Sequence, residues 1–537
     1  MFRSYEQDQP FLLPPSLHDF VDEGHPAHLI NDLVEELDLT ALESYYGNLG
    51  QPAYHPRLML KVILYGFSVG IFSSRKLQRA CQENLAFKYL AGMETPAFRT
   101  FIEFRQRHRE DMKEVFVQTV RLARALGLAR LGAVALDGTK VDANTSKHKA
   151  MSYGRMLEEE KRLKAEIEQL LETAEVTDEQ ENREYGPEAD GYRLGEELAR
   201  RQQRLKKLAE AKAGLEAREK REHPSEPIDP KKQVSFADHD ARCFTKRGDG
   251  TRYVYNGQAA VDMDSQIIVA NHIEDSVSDA HAAEQVLESI EQELGQVPGA
   301  LVTDAGYGNQ NTLDSCRKRG VTPVCATTRE GKDDPERGKL ARFSYDRDHD
   351  RFACPHGHAF ECTHEHHASG MRTYKTPGPV PCTCGHYKTA DGRKVIRVGQ
   401  SHLAKRELQW IMGEPGHREL YRRRKCTAEP PFGQIKAAMG FRRFLYRGKQ
   451  NVGSEWNLVC AALNVKKIVA LLQTRRRHAN HEQAAGDEGV NGSLSKLHPP
   501  SFLFFIGLVA RFSRSVRPWV SVASPLGHLT HNCLRLP

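Results

Sequence analysis

Apolar residues in the N-terminal part of the chain recur at helical spacing. Leu58, Val62 and Tyr65 form one such series. The pattern predicts an all-helical N-terminal domain over residues 1–130. Both a helix-turn-helix DNA-binding domain and an ordinary helical bundle fit this pattern. The predicted surface of this domain carries basic residues, among them Arg75 and Lys76.

A different pattern occupies residues 151–225, which are rich in Glu, Lys, Arg, Leu and Ala. Leu198, Leu205 and Leu208 are among the leucines that keep a heptad spacing. We expect two antiparallel helices that reverse in a turn-rich stretch around Gly186 and that interrupt two strand-forming segments. A solvated structural hairpin is favoured over a specific partner-binding role.

Two short apolar runs each lead to an aspartate that is followed by small turn residues. The first run, in residues 131–150, ends at Asp137 in "ALDGTKVDAN", and the second ends at Asp304 in "VTDAGYGN". Residues 240–335, which contain the second run, also predict a β-hairpin that turns at Asp264 and a following amphipathic helix. The pattern therefore predicts a mixed α/β domain that the helical segment interrupts.

Functional groups in such domains collect where the strands of the sheet end. If the strands leading to Asp137 and Asp304 are parallel neighbours, their carboxylates lie a few ångströms apart and repel each other unless a divalent cation lies between them. Hard oxygen ligands favour Mg²⁺. The alternative is that each aspartate caps a turn through its side chain. Capping is the favoured interpretation for the other nearby acids, Asp142, Asp262, Asp264, Asp275 and Asp279.

A third acid stands in a strongly basic segment. Glu429 lies within "YRRRKCTAEPPFGQIKAAMGFRRFLYRG", where it is either an ion-pair partner or a ligand of a second metal ion. Because Pro430 and Pro431 disfavour a helix already under way, we expect Glu429 near a helix start. The surrounding cations suit a phosphate backbone. The candidate DNA-binding residues here are Tyr421, Arg422, Arg424, Lys425, Lys436, Arg442 and Arg443.

Residues 336–400 contain cysteines and histidines between the second aspartate and the glutamate. Cys354, Cys362, Cys382 and Cys384 are candidate zinc ligands. Their spacing does not reproduce the paired knuckles of a zinc finger. An irregular β-rich insertion with unliganded thiols is therefore the favoured interpretation, and a structural Zn²⁺ site is the alternative.

The remaining segments add less. Residues 401–474 are predicted to complete the α/β domain with helices, including an amphipathic helix over 451–472. Residues 475–537 are expected to form a poorly ordered tail. Its apolar run, 502–510, is far shorter than the ~20 residues of a membrane helix, so we expect no membrane partner.

Net charge and cysteine content add little to these predictions. A net charge of +6 over 537 residues is too small to indicate a nucleic-acid partner without the local clustering described above. The 11 cysteines are scattered, and the start of the chain does not resemble a secretory leader. We therefore expect a cytoplasmic protein with reduced thiols.

Four ordered blocks resemble a known family. "LDGTKVDAN", "YNGQAAVD", "VTDAGYGN" and the basic segment around Glu429 resemble the DDE transposases of bacterial insertion sequences, most closely the IS-eleven-eighty-two type of the IS-four and IS-five group. The resemblance covers about residues 19–472 and includes "YHPRLMLKVILYGFSVGIFSSRKLQRA" near the N-terminus. It implies a ribonuclease-H-like mixed-sheet catalytic domain, an all-α N-terminal domain that helps bind the element's ends, and inserted segments.

The resemblance also implies the chemistry. It assigns catalytic and metal-binding roles to Asp137, Asp304 and Glu429, which would hold two Mg²⁺ ions, with Mn²⁺ as a substitute. The implied activity is cleavage at the terminal inverted repeats of the element and strand transfer into target DNA. A homodimer or higher homo-oligomer is expected, because two DNA ends must be brought together, and the protein would be nucleoid-associated. The alternatives are a metal-dependent nuclease without strand transfer and a non-catalytic DNA-binding regulator.

Related transposases also flank the final glutamate with a Tyr, an Arg and a Lys at helical spacings. Lys436, seven residues after Glu429, fits that arrangement. Tyr421 lies eight residues before Glu429, and Lys425 occupies the place of the Arg. The sequence thus departs from the family pattern at two of these three positions.

Overall fold

The structure is a computed structural model, and residues 1–473 form one compact unit while residues 474–537 form another. Its described residues are 16–47, 52–146, 150–184, 192–222, 224, 226–246, 248, 250–327, 340, 342–366, 370–384 and 387–487. The predicted turn around Gly186 and the part of the predicted tail after residue 487 lie outside this range.

The described elements up to residue 125 are helical. Several begin at a side chain that caps the first turn: His25 Nδ1 accepts from the backbone N–H of Ala27, and Asn84 Oδ1 accepts from that of Ala86. Proline follows the cap of the first and third helices, where its fixed φ suits a helix start. The helices are α1 (Pro26–Glu35), α2 (Thr40–Glu43), α3 (Pro56–Ser68), α4 (Ser74–Glu83), α5 (Leu85–Leu90), α6 (Phe98–Arg107) and α7 (Met112–Ala125).

A mixed sheet follows, in which β5 pairs with β1, β4 and β6, all antiparallel, and β1, β7 and β8 run parallel. The β5–β6 hairpin turns at Asp264 as predicted. The two-stranded ribbon of β2 and β3 lies apart from this sheet. The strands are β1 (Ala133–Asp142), β2 (Ala150–Ser152), β3 (Gln233–Ser235), β4 (Arg242–Lys246), β5 (Gly250–Asp262), β6 (Ile268–Glu274), β7 (Ala300–Thr303) and β8 (Thr322–Cys325).

The first strand is longer than predicted, because it does not end at Asp137. Its antiparallel pairing with β5 continues from Val134 opposite Asp262 to Asp142 opposite Val254. Gly138 permits this continuation, since a Cβ there would lie 2.8 Å from Asp279 Oδ1. Asp137 is therefore presented from within a strand.

Helices cover the mixed sheet. α8 (Tyr153–Glu184) and α9 (Tyr192–Glu222) emerge between β1 and β5 and pack on each other through buried residues such as Leu163 and Leu208. The amphipathic helix predicted over 451–472 extends further than predicted, to Asp487. The helices after β6 are α10 (Ala282–Leu294), α11 (Gln310–Arg319), α12 (Gln400–Gly413), α13 (His417–Gly433) and α14 (Lys449–Asp487).

A second sheet lies between β8 and α12. It is antiparallel, in the order β13-β14-β12-β11-β10-β9, and has its own small core around Phe352, Phe360 and Tyr374. Its strands are β9 (Ser344–Asp346), β10 (Arg351–Ala353), β11 (Ala359–His366), β12 (Met371–Pro379), β13 (Tyr387–Lys388) and β14 (Arg393–Val398).

Within the described ranges, none of the helices combines the length and the apolar character needed to cross a bilayer.

Candidate active site

The structure places Asp137 and Asp304 at the same level of neighbouring strands. β1 and β7 are parallel, with Ala135 opposite Val302. Two residues further along each strand, Asp137 therefore stands opposite Asp304, whose backbone is still extended. Neighbouring strands are about 4.8 Å apart, so the two carboxylates start from adjacent backbone positions.

Asp137 lies in a partly buried, polar environment. Its Oδ1 accepts a 2.8 Å hydrogen bond from the backbone N–H of Gly138, and Arg424 Nη1 donates to its Oδ2 at 3.2 Å. Burial raises the pKa of Asp137 above its ordinary value; the Gly138 N–H and Arg424 oppose this rise, and the charges of Asp304 and Asp279 add to it. A bound cation would relieve this repulsion.

Helix α13 lies over the two aspartate-bearing strands. Ala428 packs in one buried cluster with Ala135 and Val302, the residues two positions before each aspartate. Glu429 is the next residue of the helix, and its side chain is exposed. Thus Glu429 lies on a helix that packs against the two strands that carry Asp137 and lead to Asp304.

The expectation that Glu429 lies near a helix start is wrong. Glu429 lies near the end of α13, and Pro430 and Pro431 are inside the helix. Pro430 has no N–H for the carbonyl of Cys426, and Gln266 Nε2 donates to that carbonyl at 2.9 Å instead. A π-helical segment, Gln434–Ala438, follows directly. A side chain from the β5–β6 turn therefore stabilises the proline-containing helix.

The predicted DNA-binding residues of this region fall into two groups. Arg422, Lys425, Arg442 and Arg443 are exposed. Lys436 is half-buried, and its Nζ donates to the carbonyl of Lys140 at 2.7 Å.

Arg424 and Tyr421 are placed differently from the prediction. Arg424 is 8% exposed and contacts the carboxylate of Asp137. Tyr421 packs against the apolar cluster around Ala428. In this structure both side chains therefore organise the site from within, while their exposed neighbours face solvent.

The opposite face of β1 carries a polar network that the sequence interpretation missed. Asp279 Oδ1 accepts hydrogen bonds from Gln258 Nε2 at 2.7 Å, Asn256 Nδ2 at 2.8 Å and Lys140 Nζ at 3.1 Å. Tyr307 is fully buried and donates to Gln258 Oε1, so it packs inside the fold. The signal lay in "YNGQ", where polar residues alternate along a strand that is otherwise apolar.

The remaining acids behave as turn and ion-pair residues. Asp262 Oδ1 accepts from the backbone N–H groups of Asp264 and Ser265, which confirms its capping role. Asp142 pairs with Arg252 at 3.1 Å. These contacts account for both side chains without a catalytic role.

In the N-terminal segment, Arg75 and Lys76 are exposed on the first turn of α4. The guanidinium of Arg75 stacks over the ring of Phe98 at 4.2 Å. This contact leaves the positive charge at the surface.

The candidate zinc residues separate into two places. Cys354 and Cys384 come together with His356, and all three ligand atoms lie within 4.8 Å of one another. The thiol of Cys382 lies near those of Cys354 and Cys384 but is outside this group of three. Cys362 is exposed on β11, where its thiol contacts Asp350, so the prediction that grouped it with the other cysteines is wrong. His386 lies outside the described residues.

The carboxylate groups of the three acids are chemically suitable ligands for a pair of divalent cations. Carboxylate oxygens are hard donors, and the repulsion between Asp137 and Asp304 favours a cation near both. In the described ranges, Asp137, Asp304 and Glu429 do not form a group whose oxygens all lie within 4.8 Å of one another. Two ions about 3.5–4 Å apart do not need that closeness, because each takes its own ligands.

Comparisons with known proteins give two family matches. A "Transposase domain (DUF772)" model matches residues 15–107, and a "Transposase DDE domain" model matches residues 229–465, which include Asp304 and Glu429 but not Asp137. Together they cover more than half of the chain. No curated protein matches it.

Among solved structures, the chain is similar to one in the cryo-EM structure of a piggyBac transposase synaptic complex with hairpin DNA. The identity is 10%, over 93% of this chain and 83% of the other, and the TM-score of 0.27 is too low to support an argument. The family matches, together with the mixed α/β sheet, identify the chain as a member of the DDE transposases, enzymes that cleave DNA.

Proposed function

We propose that this protein is the transposase of an insertion sequence of the IS-eleven-eighty-two type, which cuts DNA at the ends of its element and joins them to target DNA. The observation that supports this most is the pairing of Asp137 and Asp304 on adjacent parallel strands, beneath the helix that carries Glu429. Asp304 also caps the following turn, since its Oδ1 accepts a 2.8 Å hydrogen bond from the backbone N–H of Gly306. Capping does not explain why the two acids lie on adjacent parallel strands.

In this proposal all three acids act as metal ligands. Asp137, Asp304 and Glu429 would hold two Mg²⁺ ions, with Asp137 as the ligand that both ions share. Bound Mg²⁺ supplies activation of the attacking water or 3′-hydroxyl and stabilisation of the departing oxygen. Arg424, which donates to Asp137 Oδ2 at 3.2 Å, would offset the charge of that carboxylate and limit its rotation.

The exposed cations around α13 bind the DNA backbone. Arg442 and Arg443 follow the π-helical segment, and the backbone of Arg443 forms a β-bridge with that of Asp142 at the end of β1. Phosphates bound there would belong to DNA that extends along the same strand from the carboxylates. Positioning and charge neutralisation carry most of the catalysis in this reaction class, so these cations serve as binding groups and need not exchange protons.

The proposed partners are the terminal inverted repeats of the element and a target DNA. Arg75 and Lys76 add positive charge in the N-terminal segment for contacts with the element ends. Because two ends must be cut and joined together, we propose a homodimer or a larger homo-oligomer that acts on DNA in the nucleoid.

The test uses labelled DNA that carries one element end, with the full-length protein in Mg²⁺ or Ca²⁺. We expect cleaved and joined products with Mg²⁺ and binding without cleavage with Ca²⁺. Asp137→Asn, Asp304→Asn and Glu429→Gln should each abolish both products while DNA binding persists. Glu419→Gln is the matched control, because Glu419 is an exposed acid on the same helix that pairs with Arg422 at the surface.

Three outcomes would contradict the proposal. Cleavage without any joined product would indicate a hydrolytic nuclease. Tight binding without Mg²⁺-dependent cleavage would indicate a regulator. Full activity of Glu429→Gln, or equal loss in Glu419→Gln, would show that Glu429 is not the third acid.

A further inference from the structure

The second sheet contains a compact turn that presents two metal-binding side chains. Cys354 directly follows β10 and His358 precedes β11; the N–H of Cys354 donates to the carbonyl of His358 at 3.0 Å. Between them, Gly357 has a φ of +82°, which favours glycine, and its N–H donates to the carbonyl of Cys354 at 2.8 Å. The turn projects the thiol of Cys354 and the imidazole of His356 from the same end of the sheet.

A second segment meets this turn. Cys382 and Cys384 lie in the connection between β12 and β13, and Cys384 Sγ lies 3.1 Å from His356 Nδ1. The ligand atoms of Cys354, His356 and Cys384 all lie within 4.8 Å of one another. The thiol of Cys382 lies near those of Cys354 and Cys384; it is outside the group of three whose ligand atoms are mutually within 4.8 Å, so it would have to move toward the ion to become a fourth donor.

Backbone groups of the turn surround the sulfur of Cys354. The backbone N–H groups of His358 and His356 and the thiols of Cys382 and Cys384 lie close enough to interact with it. N–H donors of this kind spread the negative charge that a sulfur carries when it binds a metal.

We propose that Cys354, His356, Cys382 and Cys384 bind one structural Zn²⁺ ion. Three sulfurs and one nitrogen form a closed tetrahedral set of the kind found in structural zinc sites. With Zn–S of about 2.3 Å and Zn–N of about 2.0 Å, a tetrahedron separates sulfur and nitrogen by about 3.5 Å. Cys384 Sγ and His356 Nδ1 need to move apart by only a few tenths of an ångström to reach that separation.

A metal accounts for features that a disulfide or a set of packed thiols does not. A disulfide would use two of the three sulfurs and would leave His356, which is exposed, without a role. The sheet has a small apolar core, in which Cys354 and Cys382 are members, and small cores commonly depend on a metal or a covalent cross-link. The ion would tie the β10–β11 turn to the β12–β13 connection.

The site is independent of the catalytic acids. Its donors are soft thiolates and an imidazole, which favour Zn²⁺ over Mg²⁺, and they belong to a different sheet from Asp137 and Asp304. Failure of the zinc proposal would therefore leave the proposed transposition chemistry intact, and the reverse also holds.

The experiment measures the metal content of the full-length protein, purified without chelators after growth with added zinc. We expect about one Zn²⁺ per chain and uptake of Co²⁺ in its place, with the visible and near-ultraviolet absorption of tetrahedral thiolate-bound cobalt. Cys354→Ser and Cys384→Ser should each lose the metal. Cys362→Ser is the matched control from the same sheet and should keep it, as should Asp137→Asn.

A second measurement covers the case in which the serine variants do not fold. In the native wild-type protein, alkylation mapped by mass spectrometry should find Cys354, Cys382 and Cys384 protected with zinc bound and reactive after chelation, whereas Cys362 reacts in both states. Absence of zinc and cobalt uptake, stoichiometric iron, a disulfide among the three cysteines, or full zinc content in Cys354→Ser would each overturn the proposal.

Discussion

The contact between Arg424 and Asp137 offers a quantitative test of the site. Arg424 Nη1 lies 3.2 Å from Asp137 Oδ2, and the two side chains are only 10% and 19% exposed. At an effective dielectric constant of about 20, two unit charges at that distance attract by about 5 kcal/mol. Residual solvent contact weakens this attraction, so we expect a coupling free energy of about 2–4 kcal/mol.

A double-mutant cycle measures this coupling. The free energy of unfolding of the wild type, Arg424→Gln, Asp137→Asn and the double variant would be determined by urea denaturation at pH 7 with a chelator present. Each single variant leaves the other group partly buried without its partner, so each should destabilise the protein, and the double variant should recover about 2–4 kcal/mol relative to the sum. Arg424→Gln should also raise the pKa of Asp137 further, because Arg424 opposes the effect of burial.

The matched control is the surface pair of Arg422 and Glu419 on the same helix. These side chains are 77% and 67% exposed, and such pairs contribute at most about 0.5 kcal/mol at helical spacing. If the Arg424 and Asp137 substitutions prove additive within about 0.5 kcal/mol, as the control should, the argument that Arg424 neutralises Asp137 is refuted.

Three further predictions concern the sheet, the core and the DNA surface. Gly138→Ala would place a Cβ 2.8 Å from Asp279 Oδ1, so we expect a loss of about 1–3 kcal/mol in the urea-derived free energy of unfolding; an unchanged value would contradict the close approach. Burial raises the pKa of Glu455 from its ordinary 4.5 to about 7. The contribution of the protonated side chain to the free energy of unfolding is therefore complete below pH 4.5 and is lost as the pH rises through 7. Relative to the wild type, the free energy of unfolding of Glu455→Gln should therefore increase by about 3 kcal/mol between pH 5 and pH 8. A difference between the two proteins that does not depend on pH would contradict this. Replacing Arg442 and Arg443 by Gln should weaken binding to element-end and random DNA alike and reduce the slope of log affinity against log salt by about 2; an unchanged slope would show that they do not contact phosphates.

Sequence patterns predicted the elements whose signals are local. The strand before Asp304, the hairpin at Asp264 and the helix that ends at Gly295 all appear, because alternating or helical apolar spacing and turn residues act within a few positions. Gly295, for example, ends its helix with a positive φ, a conformation that glycine adopts readily.

Other features depend on partners distant in sequence. The proline pair after Glu429 indicates a helix start when considered alone, yet Gln266, some 160 residues earlier, donates to the carbonyl that Pro430 leaves without a partner. The density of cations around Arg424 suggested a DNA contact, and only the packing of its helix on the sheet reveals the ion pair with Asp137.

The sequence named three cysteines of the cluster as candidate ligands but did not favour a metal site, for the same reason. Its spacing along the chain does not resemble paired knuckles, because one ligand pair is Cys354 with His356 and the other comes from a separate turn near Cys384. Sequence spacing cannot distinguish Cys382, which joins the cluster, from Cys362, which faces solvent on a strand. The fold separates them, because Cys362 lies in β11 and Cys382 lies in the connection between β12 and β13.

We propose that Asp304, together with Asp137 and Glu429, binds the divalent ions required for DNA cleavage, and Asp304→Cys tests this role. A thiolate is a poor ligand for Mg²⁺ and a better one for softer ions. End cleavage by Asp304→Cys should fall by about 100-fold or more in Mg²⁺ and recover substantially in Mn²⁺, while the wild type is active in both. Wild-type activity of the variant in Mg²⁺, or an equal loss in both metals, would contradict the account.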